Sequence, residues 1–127
     1  MTRWRRCALM VAVCAAGGLA TVSPVRANEV FKQLMAKEIR AKVIGRDLTD
    51  GVHWSWYFRP DGALISMELA KRRVGSWKIE DNRLCREKEK GKQIECYEVW
   101  MSRKTVSLRF FEDMPAFEAT VEPHSGP

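Results

Sequence analysis

The chain has 127 residues, 46% hydrophobic and 30% charged, enough for one packed core and too apolar for a disordered segment. Its 22 basic and 16 acidic side chains give a formal charge of +6, but four of the bases (Arg3, Arg5, Arg6 and Arg26) lie in the first 27 residues, which hold no acid. Beyond residue 27 the balance falls to 18 bases against 16 acids, a net +2 that excludes the strong positive field of a typical nucleic-acid binder.

The opening arginines precede an uninterrupted 14-residue run of apolar and small side chains over residues 7–20, followed by Ser23, Pro24 and the triplet Val25-Arg26-Ala27. A positive start, an apolar middle and a small-residue end make a secretory signal, with cleavage expected after Ala27. The run falls short of the roughly 20 residues that span a bilayer, so no transmembrane anchor is expected after processing. Lipidation at Cys14 is disfavoured by the bulky Val13 and by its place inside the run. The surroundings of Arg5-Arg6 fit twin-arginine export poorly. Cys7 and Cys14 leave with the leader. Cys85 and Cys96 remain, an even pair for which a disulfide is the default in an oxidising compartment. Their closed ring of about a dozen residues is worth roughly 3 kcal/mol by loop entropy. The expected location is periplasmic or secreted.

Residues 28–127 form one expected domain. Over residues 28–40, Val30, Phe31, Leu34, Met35 and Ile39 recur at helical spacing with Asn28 as N-cap. A helix there packs on a sheet or closes a barrel end, a membrane-surface role being the less favoured alternative. From residue 43 the period becomes two. Val52, Trp54, Trp56 and Phe58 alternate with His53, Ser55, Tyr57 and Arg59. Pro60-Asp61-Gly62 is a turn, and the chain returns through Ala63, Ile65, Met67 and Leu69. Lys71-Arg72-Arg73 reads as a polar link before a strand over residues 74–80, and Asp81-Asn82 turns into another over 83–86. Residues 87–92 read as an exposed loop, residues 93–101 as a strand, and two more strands carry Val106, Leu108 and Phe110, then Phe117, Ala119 and Val121. The tail from Pro123 reads as loose. The fold class is mostly β: an antiparallel meander or small lipocalin-like barrel of seven to eight strands, within residues 43–122, with one N-terminal helix.

The aromatic run at residues 52–58, the Pro60-Asp61-Gly62 turn, Gly75-Ser76-Trp77, Leu84-Cys85 and Cys96-Tyr97-Glu98-Val99 resemble a pattern shared by small exported proteins of alphaproteobacteria. The resemblance covers most of residues 39–122. It implies a periplasmic lipocalin-like domain of unknown function, and supplies no catalytic residues. Residues 65–69 depart from it where a glycine-rich strand is expected.

No constellation for catalysis stands out. His53 and His124 lack neighbours at metal-ligand spacing, and the carboxylates fall mostly in turns, so no metal, cofactor or catalytic residue is expected. Trp54, Trp56, Phe58, Trp77, Phe110 and Phe117 share the inward phase. They fill a core or, less favoured, line a cavity for a small apolar ligand. Tyr57, Arg59, Arg72, Arg73, Tyr97, Trp100 and Arg103 are residue types enriched at interfaces. The leading expectation is a non-enzymatic binding module contacting another envelope or secreted protein, by architectural analogy with small disulfide-bonded lysozyme-inhibitor barrels. The alternative is a carrier of a small apolar ligand.

Overall fold

Alternation at period two places every second side chain of a strand on one face, and a sheet buries that face by closing on itself. In the computed structural model, which describes residues 29–110 and 114–126, nine strands and one helix follow in the order β1 (Lys32–Gln33), α1 (Ala36–Lys42), β2 (Arg46–Thr49), β3 (Trp54–Phe58), β4 (Ala63–Glu68), β5 (Lys71–Glu80), β6 (Arg83–Glu87), β7 (Ile94–Ser102), β8 (Thr105–Arg109) and β9 (Phe117–Pro123). Strands β2 to β9 pair in sequence order, all antiparallel, and β9 returns to pair with β2. The result is a closed eight-stranded meander barrel with one short helix. The expected leader, the expected cleavage after Ala27 and the expected cap at Asn28 lie outside the described residues.

The interior is filled. Leu48, Phe58, Leu64, Leu84, Val99, Val106 and Leu108 are all fully buried, and Trp56, Tyr97, Ala119 and Val121 complete the cluster. The inward phase of β4 is Leu64, Ser66 and Glu68; Met67 and Leu69, on the phase carrying Ala63 and Ile65, are exposed.

The expected helix over 28–40 is corrected. Residues 32–33 are extended and pair with Met101 and Trp100 of β7, and the Leu34 N–H continues the ladder to the Val99 carbonyl at 2.8 Å. Strand β6 pairs only with the first half of β7, Ile94 to Tyr97, so β1 occupies the edge left vacant beside the second half. Val30 is therefore exposed, whereas Leu34 and Ile39 are buried. The apolar spacing that suggested one helix belongs to a strand followed by a helix. Helix α1 starts after Met35, whose N–H is held by the Glu38 carboxylate at 3.0 Å. The Asn82 side chain, from the β5–β6 turn, accepts the Ala36 N–H at 2.9 Å and so caps the helix from across the fold. Ile39 and Val43 enter the core, and the helix seats at the barrel end that carries the β3–β4, β5–β6 and β7–β8 turns.

Arg72 and Arg73 are not in a polar link but inside β5. The β4–β5 turn is Leu69-Ala70, both with positive φ (49° and 64°), a hairpin geometry usually signalled by Asn or Gly. The tail is also corrected: β9 extends to Pro123, which pairs with Arg46. Cys85 and Cys96 are directly opposed on β6 and β7, bonded, with Cα atoms 3.9 Å apart.

At Gly75, β5 passes against the chain leaving β6. A Cβ there would collide with the carbonyl oxygens of Glu87 and Lys88. Because the obstacle is backbone, Gly75→Ala is expected to lower stability by about 3 kcal/mol, read as a fall in the urea midpoint at unchanged slope. Removing the disulfide as Cys85→Ala/Cys96→Ala is expected to cost a similar amount, about 3 kcal/mol; an unshifted midpoint for either variant contradicts the pairing described.

Candidate functional site

In a meander, alternate turns share an end. The β2–β3, β4–β5, β6–β7 and β8–β9 connections lie opposite α1, and there the interior phase turns from apolar to polar. Glu68 ends β4, Arg86 lies on β6, and Glu95 and Tyr97 lie on β7. Arg86 and Glu95 are register partners, so alternation aims them into one layer.

Arg86 is only 5% exposed. Its Nε and Nη2 converge on Glu95 Oε2 at 3.0 and 2.8 Å, and Nη2 also donates to the Tyr97 hydroxyl at 3.2 Å. The guanidinium lies over the Trp56 ring, 3.5 Å from its centroid, a cation–π contact strengthened by burial. Nη1 is 3.8 Å from Glu68 Oε1. Glu68 is a second hub: it accepts the Trp56 indole N–H at 3.1 Å and pairs with Arg73 at 3.2 Å and Lys88 at 3.4 Å. Arg73 in turn holds Glu89 at 2.7 Å. Burial works against the charged form of Glu68, but Lys88, the Trp56 N–H and Arg86 outweigh it and hold its carboxyl below the usual range. Burial pushes the Tyr97 phenol up to about 12, against the opposing pull of Arg86. This layer closes the barrel mouth with ion pairs.

Over it lies an open groove of about 440 Å³ lined by His53, Trp54, Trp56, Glu68, Leu69, Arg86 and Phe117. Trp54 and Trp56 are 4.5 Å apart, and Phe117 meets both edge-on at 6.0 and 5.5 Å. The groove rim is fixed by Asp50, whose Oδ1 accepts the N–H groups of Val52, His53 and Trp54 at 3.0, 2.7 and 3.0 Å while Oδ2 meets His53 Nδ1 at 2.9 Å. Desolvation opposes these bonds and is outweighed, so the Asp50 carboxyl stays well below the ordinary range. The rim presents Val52 at 83% exposure and Leu69 at 79%.

The structure separates the aromatics expected together. Trp54, Trp56 and Phe117 meet at the mouth. Phe58 and Trp77 pack near the far end, where the Trp77 indole donates to the Arg59 carbonyl at 2.7 Å and holds the Pro60-Asp61-Gly62 turn. Phe110 packs on Tyr97 between the two, 5.5 Å between ring centroids. The expected interface residues are scattered as well. Tyr57 stacks on His124 at 3.5 Å, and His124 pairs with Asp47 at 2.9 Å. Arg59 pairs with Asp61 at 2.8 Å. Trp100 is half-buried under Arg109, 4.1 Å from its centroid, and donates to Glu98 at 3.2 Å. Tyr97 is buried, Arg73 belongs to the Glu68 cluster, and Arg72 and Arg103 are exposed. Arg86, Glu68 and Glu95 were not singled out from the sequence, although each is a charge standing in the inward phase of a strand.

Among the described residues no group of three His, Cys, Asp or Glu side chains is arranged to hold a metal ion, and no helix is long and apolar enough to cross a membrane. No protein-family model matches the chain, and neither curated proteins nor solved structures yield a match.

Because the Glu68 carboxyl is lowered from 4.5, its contribution to stability is present above that value and is lost as the pH falls through the lower folded value. Glu68→Gln is therefore expected to flatten the loss of stability between about pH 6 and pH 3, measured by urea unfolding at each pH. An acid limb as steep as in the unmodified protein contradicts the pairing at this carboxylate.

Proposed function

We propose that the chain is an exported, non-enzymatic binding module that contacts another envelope or secreted protein through the open mouth of its barrel. The observation that carries this reading is an aromatic groove lying over a filled interior. Buried apolar side chains and the Arg86–Glu95 layer occupy the space in which a lipocalin-like carrier would hold its ligand, so a guest sits at the mouth, against Trp54, Trp56 and Phe117. Partially exposed Trp54 and Phe117 beside exposed Val52 and Leu69 offer the apolar and aromatic surface that protein contacts bury. A groove of about 440 Å³ suits one or two protruding side chains of a partner. The polar groups at the mouth already hold one another in ion pairs, which supports recognition over chemistry. Export through a leader cleaved after Ala27 accords with the Cys85–Cys96 bond, since disulfides persist outside the reducing cytosol.

The carrier alternative draws on the same lining: a small apolar ligand would lie across the mouth instead of within the barrel. Site-specific photo-cross-linking in the producing cells separates the two. A benzophenone side chain at Leu69 is expected to yield a discrete protein adduct, and one at Glu118 on the outer wall none. A bound lipid in the purified mature protein with no adduct from Leu69 would overturn the reading. The mature N-terminus is expected at Asn28 by mass spectrometry.

A further inference from the structure

The strands of the barrel are staggered, and among the described residues β5 has a stretch with no strand beside it. Strand β5 pairs with β4 over Lys71 to Ser76 and with β6 over Ser76 to Glu80. The two halves share only Ser76, so on the side facing β6 residues 71–75 have no strand beside them. The two-residue Leu69-Ala70 turn makes Glu68 and Lys71 a hydrogen-bonded pair, and such pairs recur at every second position. Arg73 and Gly75 therefore bond to β4, whereas Arg72 and Val74 turn their N–H and C=O groups away from it. Among the described residues no other backbone group takes them up.

The cause is Gly75. The chain leaving β6 crosses it, with the Glu87 and Lys88 carbonyls where a side chain would stand, and turns into the mouth. There Lys88 reaches Glu68 at 3.4 Å and Glu89 reaches Arg73 at 2.7 Å. A chain that continued beside β5 would have covered the edge; this one plugs the barrel instead. The cleft left between β5 and this loop has a volume of about 470 Å³ and is lined by Lys71, Arg73, Lys88, Glu89, Lys92, Gln93 and Glu95. With Arg72 on the outer face, five cations border it; Arg73 and Lys88 are paired with Glu68 and Glu89, and among the described residues Lys71, Arg72 and Lys92 make no ion pair. Val74 is 51% exposed and Ile94 49%, both on the outer wall.

We propose that the 71–75 edge of β5 binds an extended acidic segment of a partner protein by strand addition. The partner's backbone would meet the free groups of Arg72 and Val74, its carboxylates the unpaired cations Lys71, Arg72 and Lys92, and one apolar side chain Val74. Strand addition takes its affinity from main-chain hydrogen bonds and its specificity from alternate side chains. A second copy of the chain is a poor occupant, because edge-to-edge pairing sets Lys71, Arg72 and Arg73 against their own kind. Lysine and arginine on an edge also deter indiscriminate pairing, which is how a basic edge selects an acidic strand. The inference rests on the reading of the chain as a protein-binding module and names the partner's chemistry.

The test uses the mature, disulfide-bonded protein and the capped peptide acetyl-Glu-Val-Glu-Val-Glu-amide, followed by NMR and amide hydrogen exchange. Saturating peptide is expected to slow exchange at Arg72 and Val74 at least tenfold. The lysine counterpart should leave both unchanged, and Val74→Pro, which removes one free donor from an edge position that tolerates proline, should weaken binding at least tenfold. Should that variant not fold, the peptide N-methylated at alternate residues replaces it and is expected not to bind the unmodified protein. No protection at millimolar peptide, equal binding of the lysine or N-methylated peptides, or undiminished binding by folded Val74→Pro would each overturn the proposal. Protection that rises with the protein's own concentration would assign the edge to a second copy, and protection by phosphatidylglycerol vesicles alone would assign it to a lipid surface; both overturn it. Any of these failures leaves adduct formation from Leu69 untouched, so the two readings fail separately.

Discussion

A guanidinium with 5% of its surface exposed is the constraint around which the mouth of this barrel is arranged. An unpaired charge at that depth is prohibitive, and removing one partner from a buried pair is far more damaging than never having had the pair. Arg86 is met by Glu95, Tyr97 and the face of Trp56, with Glu68 close behind. These groups come from β3, β4, β6 and β7, so one side chain fixes four strands relative to one another. With this layer in place the barrel ends in a charged plug, not a well. The aromatic groove is consequently shallow and faces outward. The loop after β6 must fold inward to bring Lys88 and Glu89 to the plug, and that inward path leaves the β5 edge open. Groove and edge are consequences of one electrostatic arrangement.

The opposite end is closed by different chemistry. Helix α1 contributes Ile39 and Val43 to the core, and its first turn is capped by Asn82 from a hairpin turn. The Pro60-Asp61-Gly62 turn is tied to the Trp77 indole and main chain. Apolar packing and backbone bonds close that end. Exposed apolar side chains and paired charges gather at the mouth, which is why the functional reading is placed there.

Much of the fold was legible because strands declare themselves through alternation. The runs of β3, β6, β7, β8 and β9, the turns at Pro60-Asp61-Gly62 and Asp81-Asn82, and the Cys85–Cys96 pair all stood in the sequence. What was hidden depended on partners distant along the chain. Residues 32–33 are a strand only because β6 runs short beside β7, and no local signal distinguishes them from the start of a helix. Leu69-Ala70 turns without the residue types that advertise a turn, so β5 seemed to begin three residues late. The apolar side chains at Ile65, Met67 and Leu69 suggested the wrong phase for β4, whose buried set includes Ser66 and Glu68. Aromatic residue types pointed toward the mouth through Trp54, Trp56 and Phe117, but not to Arg86. Its signal was a cation in phase with Leu84, opposite acids in phase with Leu64 and Tyr97, and it becomes readable only when β7 is known to pair with β6 and β4 to stand one strand beyond, on the other side of β5.

A double-mutant cycle between Arg86→Met and Glu95→Gln, read by urea unfolding, tests most directly whether this buried pair organises the mouth. A coupling energy of at least about 1.5 kcal/mol is expected, the double change costing less than the two single changes added together. Independent, additive effects within about 0.3 kcal/mol would mean that the guanidinium and the carboxylate do not depend on each other, and the account of the charged plug would fail.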